Sequence, residues 1–266
     1  MDNQFSDVRK IGTINTIGLC TMAKREIDRF LSVYLQTIVA PAVTTLLFYA
    51  IFALAFGGLA RDVGSVPFLH FLAPGLIMMA MVQNAFANVS SSLVISKVQG
   101  NIVDILMPPL SALEIYAGYI IGAVLRGLTV GVVAMLALSF FATVSIEHWW
   151  SVILFSVLGT WLLGSLGLAA GIWSDKFDHI AAVTNFVVTP LTFLSGTFYR
   201  VEMLPEVWRD VVFLNPFFYM IDGFRYGFIG QADGSLLAGV LLLLFFNLAL
   251  AGLAYGMIRS GYKLKA

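Results

Sequence analysis

YLQTIVAPAVTTLLFYAIFALAFGGL, residues 34–59, contains no charged side chain. About 20 apolar residues cross the hydrocarbon core of a bilayer as a helix, so this stretch points to a membrane-spanning helix. Outward along the chain, five more stretches read the same way: 68–94 (beginning FLHFLAPGLIMMAMVQNAFANV), 112–141, 150–173, 180–199 and 235–258. None shows the alternation over about 10 residues that marks a transmembrane β-strand. The whole 266-residue chain agrees, being 59% hydrophobic and only 11% charged, with a mean hydropathy of +0.91. Soluble domains are about 45–50% apolar and about 25% charged. The composition excludes a soluble globular domain, a disordered chain, a nucleic-acid binder and a disulfide-stapled secreted domain. Cys20, the lone cysteine, has no internal disulfide partner, and His70, His148 and His179 lie too far apart in sequence to suggest a metal site. The expected fold is an all-α polytopic membrane protein with six transmembrane helices. Residues 1–33 would be a cytoplasmic segment, 34–258 the transmembrane domain and 259–266 a cytoplasmic tail. Because the first 33 residues carry no apolar core of the signal-peptide kind, the first span is expected to direct insertion.

Lys and Arg set the orientation. With the N-terminus inside, Arg9, Lys10, Lys24, Arg25, Arg29, Lys97, Lys176, Arg259, Lys263 and Lys265 fall on the cytoplasmic side. Arg61, Arg200, Arg209 and Arg225 fall outside, and Arg126 falls within a span. The inverse topology would place most of the cations on the wrong side, and six spans return the C-terminus to the cytoplasm.

Two segments that do not span stand out. In MAKREIDRFLSVY (22–34), Ile27, Phe30, Leu31 and Tyr34 share one helical face while Arg25, Asp28 and Arg29 occupy the other. This pattern predicts a helix lying on the cytoplasmic membrane surface, the other reading being a helical extension of the first span. Residues 200–234 are too charged to span, yet Trp208, Phe213, Phe217, Phe218, Tyr219, Phe224, Tyr226 and Phe228 need an apolar setting. An external re-entrant or interfacial helix pair fits, since irregular backbone at membrane depth must be buried in protein or line a cavity.

Between spans two and three lies SKVQGNIVDILMPPLSALE (96–114). Gly100 ends one helix, Asn101 is a candidate N-cap, Asp104 suits the positive helix end, and Pro108 and Pro109 stop the next turn. The predicted short helix, about 101–107, is apolar nearly all round through Ile102, Val103, Ile105, Leu106 and Met107. Such a helix either docks on a protein partner or packs beneath its own bundle. Arg126 at mid-span is either a gating or substrate contact or an arginine that bridges helices through polar partners. The pairs Gly118–Gly122, Gly127–Gly131 and Gly167–Gly171 have GxxxG spacing, which allows close helix approach within or between protomers. Asn84, Asn88 and Ser90–Ser92 on the second span, and Asn185, Thr189, Thr192 and Ser195 on the fifth, either line a cavity or bond neighbouring helices. Asp222 and Arg225 read as a structural i, i+3 pair.

Several chemistries are missing. No lysine follows a glycine, so there is no P-loop for ATP. There is no HExxH, GxSxG or cluster of carboxylates within one span, and no evident inverted repeat. An autonomous enzyme or secondary carrier is disfavoured. The rival readings are a nucleotide-independent channel and a lipid-modifying membrane enzyme, whose only candidate carboxylates are Glu202, Glu206, Asp210 and Asp222.

The combination resembles the membrane subunit of type-2 ABC exporters, and most closely the YadH-like bacterial permeases. The resemblance is carried by FLAPGLIMMAMVQNAFANVSSS (71–92), TPLTFLSGTFYRVEMLPEVW (189–208), LNPFFYMIDGFRYGFIG (214–230) and the GNIVDILMPPL element, and it covers about residues 20–262. It implies a type V exporter-like architecture. In it, residues 22–31 would be a connecting helix that meets the ATPase, with Lys24, Arg25, Glu26 and Arg29 exposed. Residues 99–108, including Gln99, Gly100, Asn101, Ile102, Asp104, Ile105, Leu106 and Pro108, would be the coupling helix that docks into the ATPase. The external segment, about 200–230, would supply the re-entrant helices. It further implies a homodimer with two copies of a separate ABC ATPase, which bind the ATP and Mg, in the bacterial inner membrane among its lipids. This chain itself would hold no cofactor and no catalytic residue. By location rather than by motif, the substrate path would pass Asn84, Asn88, Asn185, Thr189, Thr192 and Phe193. These candidates are uncharged and partly aromatic, which favours an amphipathic or hydrophobic substrate.

Overall fold

The computed structural model describes Gly12 and residues 14–56, 66–142 and 145–264. Arg9, Lys10, Arg61 and Lys265 of the charge pattern, and residues 57–59 of the first expected span, lie outside the described residues. The chain runs through α1 (Thr16–Ser32), α2 (Ala40–Phe56), α3 (Phe68–Val98), α4 (Val103–Leu106), α5 (Ala112–Ser139), α6 (Trp149–Trp173), α7 (Phe177–Val183), α8 (Thr189–Phe193), α9 (Glu206–Leu214), α10 (Pro216–Ile229) and α11 (Leu236–Ser260). π-helical turns at Leu35–Val39 and Thr184–Val188 precede α2 and join α7 to α8.

Among the described residues, five helices are long and apolar enough to cross a membrane: Leu35–Ala55, Phe68–Val98, Ala112–Ser139, Trp149–Trp173 and Leu236–Ser260. The expected fifth span, 180–199, is helical only through α7, the π turn and α8. That run extends about 26 Å at about 1.5 Å per residue, just short of the ~30 Å hydrocarbon core. Beyond it the chain turns at residues 194–196, with Gly196 at φ +73.

α3 and α6 form the centre of the bundle, buried along most of their length, whereas α2 and α11 are largely exposed. All three GxxxG pairs are used within the chain. A Cβ at Gly167 would fall 2.5 Å from the Phe86 carbonyl oxygen, and Gly171 lies against Leu93, so α6 meets the α3 backbone directly. Gly127 faces Thr160 and Met81, and Gly131 faces Met81. Gly118 and Gly122 seat α1 on α5 through Met22 and Glu26.

α1 therefore runs beside α5 in the same direction. Its N-cap Asn15 accepts from the Gly18 N–H at 3.0 Å, and the Asn15 N–H donates to Glu114. Glu114 also closes the α5 capping box by accepting from the Ser111 N–H at 2.6 Å. The buried face of α1 is Met22, Ala23, Glu26 and Phe30. Of the predicted apolar face, Phe30 is buried within the protein, while Leu31 and Tyr34 are 44% and 54% exposed on its surface. Contact with α5 decides which side of α1 turns toward the bundle. Val33 leaves the helical conformation, so α1 is a helix distinct from the first span.

Candidate functional site

At one end of the bundle, α3 ends at Val98 with Gln99 as its C-cap, and Gly100 follows with a φ of +77 that suits glycine just past a helix C-terminus. The short helix that follows is a single turn, narrower than expected. Asn101 does not cap it: Ile102 is the N-cap residue, and the Asn101 side chain bonds Gln99 at 3.4 Å. The element packs beneath its own bundle on one face and leaves the other face uncovered. Ile102 and Ile105 are buried beneath the bundle. Val103 and Met107 are 51% and 78% exposed, and Gln99, Gly100, Asn101, Asp104, Leu106 and Pro108 are exposed beside them. A groove of about 410 Å³ lined by Asn15, Thr21, Arg25, Asp104, Ile105 and Pro108 joins this element to α1. Arg25 is exposed along it, and Lys24 is exposed on the same helix.

Glu26 is not. It is fully buried, which corrects its expected exposure. Its carboxylate accepts from Ser92 Oγ at 2.7 Å and pairs with Arg29 at 3.2 Å. A buried carboxylate needs both a counter-charge and hydrogen bonds, and α3 and α1 supply them. Arg29, only partly exposed, also donates to the Asn88 side chain at 2.8 Å and to its carbonyl at 2.6 Å. Arg126 of α5 donates to Asn84 Oδ1 at 2.9 Å, and Arg25 reaches Ser96 at 3.5 Å. Asn84, Asn88, Ser92 and Ser96 thus form four successive rungs on one face of α3, each met by a charged side chain of α1 or α5. The four-residue spacing was visible in the sequence; the partners on α1 were not. Asn88 Nδ2, Tyr119 OH and Arg126 Nε, all buried here, find no partner among the described residues.

The expected substrate-path residues separate. Asn84 lines two grooves of about 300 Å³ each. One, against α2, also contains Gln36, Thr44 and Gln83; the other, against α7 and α8, contains Gln83, Ser91, Thr184 and Thr189. Asn88 is fully buried in its bond to Arg29. Thr192 and Ser195 are also fully buried, and Thr192 donates to the Val188 carbonyl at 2.6 Å. Asn185 is exposed, and Phe193 is 41% exposed and stacks on Phe198 with ring centroids 5.2 Å apart. The predicted stripe over Asn185, Thr189, Thr192 and Ser195 does not form one face, because the π turn at 184–188 shifts the helical register. Gln36, Gln83, Thr44 and Thr184 were missed; their only sequence signal is an amide or hydroxyl in an apolar stretch.

Two lysines secure the same end. Lys97 donates to the carbonyls of Ile172 and Ser174 at 2.6 and 2.7 Å, and Lys263 to that of Trp173 at 2.9 Å. Cations at the C-terminal end of α6 complement its dipole. Lys263 also bonds Asp175 at 2.7 Å, and holds that exposed carboxyl below its ordinary range.

At the opposite end, α10 is buried and α9 is half-exposed. Asp222 accepts from the N–H groups of Asp233 and Gly234, each at 2.9 Å. Arg225 donates to the Gly196 carbonyl at 2.8 Å and lies 3.6 Å from the Phe71 ring centroid. The two residues thus fix the flanking loops. Glu202, Glu206 and Asp210 are all exposed. Among the described residues no cluster of His, Cys, Asp and Glu is placed to hold a metal ion.

The family profile described as ABC-2 type transporter matches residues 18–229, which takes in the α1–α4 corner, the rungs and α9–α10. The chain belongs to the ABC-2 type transporter family. It is 38% identical over 94% of its length to the Inner membrane transport permease YadH of Escherichia coli (strain K12), covering 98% of that protein. It is 24% identical to the Nodulation protein J of Sinorhizobium fredii, over 79% of this chain and 81% of that protein. The Nodulation protein J of Rhizobium leguminosarum bv. viciae is 26% identical over 70% of this chain and 73% of its own length. As an ABC-2 permease, the chain is an integral membrane protein and the membrane subunit of an ABC transporter.

Proposed function

We propose that this permease is the membrane half of an ATP-driven exporter. Two copies pair in the bacterial inner membrane with both termini in the cytoplasm. Each copy engages one ABC ATPase subunit, which binds the ATP and Mg that this chain has no motif to hold. The fifth of six spans in chain order is the run from α7 to α8, and α9–α10 form the external re-entrant pair. The observation that carries the reading is the division of the α4 turn: Ile102 and Ile105 are anchored inward while Val103, Leu106 and Met107 face outward. An apolar surface of that kind, flanked by Lys24, Arg25 and Asp104, is suited to insertion into a groove on a partner. Movement of the ATPase would pass from α4 and α1 to α3 through the rungs at Asn88, Ser92 and Ser96. α3 walls both grooves, so its tilt would alter the affinity for a substrate between two states, as transport requires. The grooves mix amides and hydroxyls with apolar walls, which suits an amphipathic substrate.

The test is co-expression with the cognate ABC ATPase, followed by co-purification and ATPase assay in lipid nanodiscs. A two-plus-two complex that turns over ATP is expected. A permease that purifies alone and leaves the ATPase unaffected would overturn the reading.

A further inference from the structure

Arg126 lies midway along α5, about 21 Å from either end at about 1.5 Å per residue. It is 7% exposed. Its one hydrogen bond from Nη2 goes to a neutral amide, Asn84, and its Nε has no partner. A buried guanidinium at such depth ordinarily has a carboxylate beside it. Here α2, α3, α6 and α11 contain no Asp or Glu at all, and the single acid of α5, Glu114, caps its far end. Glu26, one turn away along α5, is already committed to Arg29 and Ser92. Arg126, Arg29 and Glu26 together leave one positive charge uncompensated. Among the described residues Asn84 is the only side chain bonded to Arg126, and it is also a wall of both grooves.

We propose that Arg126 is the counter-charge for an anionic group on an amphipathic ligand, admitted to the guanidinium when the Asn84 side chain swings aside. The ligand's apolar portion lies along Phe48, Leu76 and Met79 in the α2 groove. Gln36, Gln83 and Thr44 bond the remaining oxygens of its head group. Calling this ligand cargo rests on the transport reading; the binding itself does not.

The binding test therefore uses the full-length permease without an ATPase, in phosphatidylcholine nanodiscs. The probes are dodecyl phosphate, dodecanol and inorganic phosphate, and the readout is the midpoint of thermal unfolding. Dodecyl phosphate is expected to raise the midpoint by several degrees, and the other two to leave it nearly unchanged. Asn84→Asp places a carboxylate beside Arg126 without changing side-chain size. It is expected to unfold at or above the wild-type temperature, yet to lose the dodecyl phosphate shift. Arg126→Gln is expected to lose it too. Equal shifts with dodecyl phosphate and dodecanol, or a shift that survives in Asn84→Asp, would overturn the proposal. Repeating the titration in phosphatidylglycerol nanodiscs separates two sources of the anion. A shift that persists supports an added amphiphile, and one that vanishes assigns the site to a resident anionic lipid and removes the cargo assignment.

Discussion

Gly122 of α5 lies directly against Glu26 of α1: a Cβ added at the glycine would come within 2.6 Å of the Glu26 Cβ. That contact brings α1 close enough to α3 for Glu26 and Arg29 to reach its polar face. Glu26 Cβ is fixed to its backbone and has nowhere to retreat, so Gly122→Ala forces α1 away from α5. Overpacking of this kind costs about 1–3 kcal/mol. At Gly118 the nearest obstacle is Met22 Cγ at 2.5 Å, which can rotate away, while Met22 Cβ at 3.0 Å need give by only a few tenths of an ångström. There the helix-propensity gain of alanine, about 0.5–1 kcal/mol, offsets much of the clash. Thermal unfolding in detergent should rank Gly122→Ala well below Gly118→Ala, with Gly118→Ala near wild type.

Arg29 neutralises Glu26 and bonds Asn88 at once. Its removal leaves a fully buried carboxylate held only by Ser92. Breaking one half of a buried pair costs about 3–5 kcal/mol. Arg29→Met alone should lower the unfolding midpoint sharply, and the double change Glu26→Gln with Arg29→Met should recover most of the loss. A double mutant no more stable than Arg29→Met would show that the pair is not what holds α1 to α3.

The two faces of α4 predict two different defects. Ile105 is 3% exposed, so Ile105→Asp buries a charge and should reduce folded yield and thermal stability. Leu106 is 37% exposed, so Leu106→Asp should leave stability within about 0.5 kcal/mol of wild type, as surface changes do. It should nevertheless abolish co-purification with the ATPase. Retention of the ATPase by Leu106→Asp would separate α4 from docking.

The contact between Lys263 and Asp175 has a defined pH dependence. The lysine lowers the folded-state carboxyl pKa below its unfolded value of about 3.9. The stabilisation is therefore complete above that unfolded pKa and is lost as pH falls through the folded one. The protection factors of residues 257–264, which are exchange rates corrected for their intrinsic pH dependence, should stay flat between about pH 5 and 8 and fall only in stronger acid. Lys263→Met should show faster exchange already at neutral pH.

Much of the architecture was legible because it follows from local chemistry. Long uncharged runs predict spans, and Gly100 and Pro108 bracket the α4 turn. The fifth membrane segment was less legible, because its π turn leaves no clear composition signal and yet shifts every later residue around the helix. That shift is why Thr192 is buried while Asn185 is exposed.

The role of a charge in this chain depended still more on its partners. By itself, the sequence determined that the chain is an all-helical membrane protein with amphipathic and apolar elements at set positions, since hydropathy and periodicity act within a single helix. Which side of α1 faces inward, that Glu26 is buried, and that Asn84 and Asn88 meet different arginines were decided only by the tertiary structure. Those outcomes depend on helices far apart in sequence: the glycines of α5 allow α1 to approach, and the polar face of α3 supplies the bonds without which a buried carboxylate would not be tolerated.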